Sequence, residues 1–480
     1  MMVNKRRSSS GIRVAVIVCA VTVCLLVGLF ALCYSLLLRP TKLESKEYIL
    51  SHMEESIREN TESGSAYVSS FLDDMGIGGY ERRQLRRVEN YFRLYYPFDM
   101  PSAAELAQKT ATLFLESFYD TIDREDTDAL TEAVIKCYVA STPDRWAVYR
   151  NEEEGESYEN DMSGSFVGIG VTVIFPGADT EPPIVESVMK NSPAEEAGIS
   201  AGDILIAVDG VSYEQIGSRG LTSAIRGEIG TTVDITLKRG EETLTVTATR
   251  RQVEDTTVFY EVRGGNIGLI TITRFKGNTD EQFTEALLAL EEAGVKGIIF
   301  DLRNNPGGYL DSVMNTLSVL VPNETRLVSF KYKTSREDTV YYATDDYVTE
   351  NESGTDVAVD HVISVPVVVI CNGNTASAGE LFTAGIRDYT AMGLIDGSVV
   401  GSQTYGKGVM QSEFALGNDA TLTMTVSLYN PPSNVNYEGV GVTPDVVFED
   451  TTEDSVDDVL ERALSELNRL IATPDGAFGV

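Results

Sequence analysis

The chain has 480 residues, 42% of them hydrophobic, which is room for several domains and the composition of a globular protein rather than a disordered one. Its 73 acidic against 38 basic residues leave a net charge of −35, which argues against a nucleic-acid partner, because phosphate neutralisation needs a basic face. The only histidines, His52 and His361, are too few for an ordinary zinc site and count against a Ser-His-Asp triad, so neither a metal nor a cofactor is expected, and any base working near neutral pH must be another group, such as a desolvated lysine.

In chain order, Lys5, Arg6, Arg7 and Arg13 precede a run from Val14 to Leu38 without a charged residue. That length spans a bilayer, and the basic flank predicts residues 1–13 inside, an anchor at 14–38 and the bulk of the chain outside the cytoplasm. A cleaved signal peptide is the competing reading; its apolar region would be shorter and followed by a small-x-small site, so an uncleaved single-pass anchor is preferred. Residues 41–60 read as a polar stalk. The region 39–163 is expected to be helical, with one helix from Ala103 to Ile122 carrying Leu106, Leu113, Phe114 and Phe118 on a face, another at Leu130–Val139, and a boundary loop at 151–161.

From Gly164 to Arg250 short β-branched runs alternate with Gly, Asp and Pro: Val171–Ile174, Ile184–Val188, Ile204–Val208, Val233–Leu237 and Leu244–Ala248, with one helical stretch at Leu221–Arg226. After Thr256, strands at Ile267–Ile272, Gly297–Leu302 and Val365–Cys371 alternate with helices at Asp280–Ala293, Tyr309–Leu320 and Ala378–Arg387. That alternation predicts an α/β core over 256–480. Residues 335–361 read as an inserted surface loop, and Asp454–Ile471 as an amphipathic closing helix. Cys137 and Cys371 fall in sequence that reads as buried, where a thiol is structural rather than nucleophilic.

The small β-rich module carries Gly168-Ile169-Gly170-Val171 at a strand entry, then Ser192-Pro193-Ala194-Glu195-Glu196-Ala197-Gly198-Ile199, Ala201-Gly202-Asp203-Ile204-Leu205 and Val208-Asp209-Gly210. A lone Gly-x-Gly could simply bend a strand, but the ordered series resembles a PDZ domain of the bacterial protease type. The resemblance implies that a peptide adds as a strand beside Gly168–Val171, its terminal carboxylate caught by loop N–H groups.

Two segments of the core have strand–turn–helix form: Ile298 to Gly308, and Val369 to Glu380 with Ser377 at the helix start. Helix N-termini offer unpaired N–H groups to a developing oxyanion. A serine there is, taken alone, more often an N-cap. A third segment, Thr404-Tyr405-Gly406-Lys407-Gly408-Val409-Met410-Gln411, changes that balance.

Together, Asp301–Gly308, Thr375–Glu380 and Tyr405–Gln411, with Gly441-Val442-Thr443-Pro444-Asp445, resemble the carboxy-terminal processing peptidases, or tail-specific proteases. The resemblance implies a peptidase core of the ClpP/crotonase-like type with an inserted PDZ domain, and a membrane-anchored serine endopeptidase that recognises substrate C-termini. Ser377 would be the nucleophile, Lys407 its neutral general base and Gln411 the group orienting the amine. The Ala378 N–H, with that of Gly307 or Gly308, would form the oxyanion hole, and Asp301 and Arg303 would support that loop. It also implies gating by the PDZ domain and dimerisation through the terminal regions. The chain departs from the pattern at Met392–Ser398, where it carries a few extra residues. In a straight strand Lys407 and Gln411 would have Cα atoms about 13 Å apart, so a helical turn or sharp bend is expected between them. The rival reading is a PDZ scaffold with a vestigial, inactive core.

Overall fold

The computed structural model describes residues 81–123, 126–176, 181–333, 338–344, 348–350, 356–358, 362–449 and 457–472. The apolar run at 14–38, the stalk at 41–60 and both histidines lie outside them. Among the described residues no helix is long and apolar enough to cross a membrane.

The described residues fall into two units, 81–87 with 100–143 and 88–99 with 144–472, and helix α1 (Glu81–Tyr95) contributes to both. In the first, α2 (Ala103–Ser117) packs on α3 (Thr127–Ser141). Ser102 and Glu105 form a capping box at the start of α2, and Asp126 caps α3. Leu106, Ala107, Ala111 and Phe114 are buried on α2, and Thr110 Oγ1 meets Ser141 Oγ at 3.2 Å. The helix expected to reach Ile122 stops at Ser117.

In the second unit, the segment expected as a boundary loop is instead helix α4 (Glu152–Met162). Its acidic residues hid a start signal. Asn151 Oδ1 accepts from the Glu154 N–H at 2.9 Å, Glu154 returns a bond to the Asn151 N–H, and Glu152, Glu153 and Glu154 sit at the favourable end of the helix dipole.

The β-rich module has strands β1 (Ser165–Gly168), β2 (Val171–Ile174), β3 (Ile184–Val188) and β4 (Ile204–Val208), helix α5 (Tyr213–Ile225), and strands β5 (Thr232–Arg239), β6 (Glu242–Thr249) and β7 (Arg251–Glu254). Strands β2-β3-β4-β5-β6 form one antiparallel sheet with β2 at its edge, while β1 pairs with β7. Helix α5 begins well before Leu221, and Gly217, at φ 61° and ψ −172°, breaks it into two helical segments.

The core sheet runs β8 (Val258–Arg263), β9 (Ile267–Ile272), β10 (Gly297–Asp301), β13 (Val367–Cys371), β14 (Gly397–Gly401), β17 (Val446–Val447), parallel throughout except for β8 against β9. Every residue of β10 and β13 is buried, as expected of parallel strands covered on both faces. Alternate residues separate the faces. Ile298, Phe300, Val367 and Val369 pack with helices α6 (Thr279–Glu292), α7 (Leu310–Ser318) and α8 (Ala378–Ala391). Ile299, Val368 and Ile370 pack against the closing helix α9 (Asp458–Ala472). A second sheet contains β11 (Arg326–Tyr332), β12 (Thr339–Tyr342), β15 (Val409–Gly417) and β16 (Ala420–Asn430). The expected surface loop at 335–361 therefore contributes a strand, β12, paired to β11. The extra residues after α8 form the turn from Met392 into β14.

Leu467 is fully buried in the α9 face of the sheet. Leu467→Ala is expected to lower unfolding stability by about 2–5 kcal/mol, read as a shift of the urea midpoint at unchanged slope.

Candidate active site

The turns after β10 and β13 lie side by side at the carboxyl ends of parallel strands, the usual place for a site in an open α/β sheet. Hydrogen bonds stitch them together: Thr375 Oγ1 donates to the Leu302 carbonyl at 2.8 Å, Ala376 N–H to the Asn305 carbonyl at 2.9 Å, and Asn304 N–H to Asn372 Oδ1 at 3.0 Å. Arg303 holds Asp301 in a bidentate pair and reaches Asp457 at 2.8 Å, tying this turn to the start of α9.

Ser377 turns sharply into α8 with φ 53° and ψ −118°, a backbone conformation that costs a non-glycine residue on the order of 1–3 kcal/mol. The turn is held from below by Glu380, which is fully buried. Its Oε2 accepts the Ser377 N–H at 2.9 Å and the Lys407 N–H at 2.8 Å; its Oε1 accepts the Thr404 hydroxyl at 2.6 Å and the Gly406 N–H at 2.7 Å. One carboxylate thus fixes the serine turn and the lysine segment to each other.

The oxyanion candidates differ. Gly307 packs so closely on the serine turn that an added Cβ would lie 2.7 Å from Ser377 Cβ. Its N–H, however, donates to Asn305 Oδ1 at 2.8 Å. Gly308 and Ala378 both line the cleft in front of Ser377, and no hydrogen bond engages either N–H among the described residues. Of the two glycines, Gly308 has the free donor.

Gly406 and Gly408, on either side of Lys407, pack on the backbone of 438–441: a Cβ at Gly408 would come within 2.7 Å of the Glu438 nitrogen, and the Gly406 carbonyl accepts the Gly439 N–H at 2.9 Å. Glu438 Oε2 accepts the Gly408 N–H at 2.7 Å. Tyr429, whose phenol burial holds in its protonated form, donates to the Lys407 carbonyl at 2.8 Å and accepts from Tyr437 at 3.1 Å; it also lines the cleft beside Ser377.

The Lys407 amine lies over the indole of Trp146, 4.5 Å from the ring centroid. Burial pushes its pKa down to about 8, against the opposing pull of Asp144, Glu438 and Glu380 and with help from Arg145. Instead of a helical turn between Lys407 and Gln411, the chain enters β15 at Val409 and carries a bulge between Met410 and Gln411. The Gln411 amide lines the cleft and donates to the Val409 carbonyl at 3.1 Å, and no hydrogen bond links it or Ser377 to the lysine amine among the described residues. The cleft, about 460 Å³, is bounded by Tyr158, Gly308–Asp311, Ser377, Ala378 and Val409–Glu413. Cys371 is not a competing nucleophile: burial lifts its thiol to about 12.

A second groove, about 260 Å³, runs along the free edge of β2, between Gly168–Val173 and the Leu221, Thr222 and Ile225 side of α5. Lys276, paired with Asp161 at 2.9 Å and Asp255 at 2.7 Å, closes one end. No group of three or more His, Cys, Asp or Glu positioned to hold a metal occurs among the described residues.

Sequence reasoning missed Glu380, Asp144, Trp146 and Tyr429. Glu380 stood in the serine motif without a role; the others have no local signal, since they reach the lysine only through the fold. Glu380→Ala leaves four donors without their acceptor and is expected to cost about 3–5 kcal/mol, with a fall in Tm seen by calorimetry.

Residues 266–448 match the model of peptidase family S41, and residues 184–239 that of a PDZ domain. The chain is 31% identical over 326 residues to a probable CtpA-like serine protease of Staphylococcus haemolyticus, covering 68% of this chain and 61% of the relative. It is 28% identical over 347 residues to one of Staphylococcus saprophyticus, covering 71% and 66%. The chain thus spans less than two thirds of the length of these relatives. A solved structure, the photosystem II D1 C-terminal processing protease, aligns over 80% of this chain and 97% of its own with 22% identity and a TM-score of 0.44.

Proposed function

We propose that this chain, whose core belongs to peptidase family S41 and which carries a PDZ domain, is a serine endopeptidase acting on proteins recognised by their C-termini, with Ser377 as nucleophile and Lys407 as general base. The observation that carries the reading is Glu380, whose carboxylate joins the strained Ser377 turn to the Lys407 segment. A capping serine in a plain helix start needs neither that strain nor that link.

In the reaction the Ser377 hydroxyl proton passes to the neutral Lys407 amine as Oγ bonds to the substrate carbonyl carbon. The oxyanion is met by the N–H groups of Ala378 and Gly308 at the positive end of α8. The departing amine takes the proton back from Lys407, leaving an ester that water hydrolyses in a second round of the same transfers. The amine moves from over Trp146 toward Ser377 when substrate fills the cleft; catalytic hydrogen bonds that are absent without substrate commonly form in its complex. Gln411, which lines the cleft, receives the amine there in this reading. The groove beside β2 takes the substrate C-terminus as an added strand. The basic residues before the apolar run 14–38 support a single-pass anchor that places this site outside the cytoplasm.

A peptide-library digest by residues 41–480, varying the last three positions, is expected to show cleavage that depends on the C-terminus. Ser377→Ala and Lys407→Ala abolish it while leaving the fold intact by circular dichroism; persistent cleavage by purified Ser377→Ala would sink the mechanism. Because the base is the unprotonated amine, kcat/KM rises with pH through an apparent pKa of about 8. Protection of 41–480 from protease added to intact cells would contradict the orientation.

A further inference from the structure

We propose that Trp146 is a positioning residue for Lys407: its indole face seats the lysine amine in the free enzyme and walls it from water. The inference rests on the reading of Lys407 as the base. Trp146 is the only tryptophan in the chain. The Lys407 amine and the Arg145 guanidinium each lie 4.5 Å from its ring centroid, and Arg145 also lies 5.9 Å from the Tyr405 ring. The indole N–H has no hydrogen-bond partner among the described residues, so the ring is held by its faces and its backbone rather than by its one polar atom. That backbone is fixed: the Trp146 N–H donates to Asp144 Oδ1 at 3.1 Å, while Asp144, itself buried, accepts the Thr425 N–H at 2.7 Å and its hydroxyl at 2.9 Å.

The groups facing the amine are Asp144 and Arg145 beside Trp146, Glu380 from α8, and Glu438 from the loop behind Gly408. Tyr96 of the segment after α1 faces Asp144 and Glu438 in turn. Three carboxylates and the indole face favour the ammonium; burial and Arg145 oppose it, and burial is the largest influence. A cation over an aromatic ring has its pKa raised by roughly half to one and a half units, whereas full burial moves a lysine by up to 3–5 units. Removing the indole therefore acts mainly by admitting water, which raises the amine's pKa.

The sole tryptophan makes the test direct. Its selectively excited emission in full-length protein and in Ser377→Ala is expected to titrate with a midpoint near 8, and Lys407→Met is expected to abolish the transition. A transition that persists in Lys407→Met, or none in wild type, overturns the proposal. In activity, Trp146→Ala is expected to move the acid limb of kcat/KM upward by about one unit and Trp146→Phe to restore it. A limb that stays in place or moves down in Trp146→Ala overturns the proposal. If Trp146→Ala does not fold, the emission titration decides alone. The two readings fail separately: emission that titrates with Lys407 in a chain that cleaves nothing rejects the peptidase reading only, while cleavage without the titration rejects the role of Trp146 only.

Discussion

The site depends on one buried carboxylate. Glu380 accepts four hydrogen bonds, two at Oε2 from the Ser377 and Lys407 N–H groups and two at Oε1 from the Thr404 hydroxyl and the Gly406 N–H, and has no exposure to water. A charge so placed is tolerated only because every lone pair is used. The return is positional: Ser377, in the turn after one strand, and Lys407, in a loop that follows another, are fixed to the same oxygen, Oε2. The strain at Ser377 persists because its N–H, the Ala376 N–H and the close packing of Gly307 all restrain the turn.

Around that link the lysine is set by opposition. Burial lowers its pKa to about 8 while three carboxylates resist. The outcome leaves a useful fraction of free amine near neutral pH, which an ordinary lysine does not offer. The same arrangement orders its neighbours: Tyr437 donates to Tyr429, Tyr429 to the Lys407 carbonyl, and both phenols stay protonated through burial. The backbone of the lysine is thereby rigid while its side chain rests on Trp146.

Much of this was legible from residues close together in sequence. The parallel core followed from apolar runs such as Val365–Cys371 alternating with amphipathic helices, and the edge strand and helix bounding the PDZ groove followed from Gly168–Val171 and Leu221–Arg226. Helix α4 was misread because acidic residues resemble a loop until the Asn151–Glu154 cap is noticed. The bend expected between Lys407 and Gln411 is a β-bulge, which needs the partner strand to be recognised. Asp144 and Trp146 lie more than 250 residues before Lys407, and only the fold makes them its neighbours.

The most direct measurement is the pH-dependent rate of fluorophosphonate modification, with the modified residue identified by mass spectrometry. The account predicts a single adduct on Ser377, formed faster as pH rises through about 8 and lost in Lys407→Ala. An adduct elsewhere, or modification of Ser377 at a rate indifferent to both pH and Lys407, would contradict it.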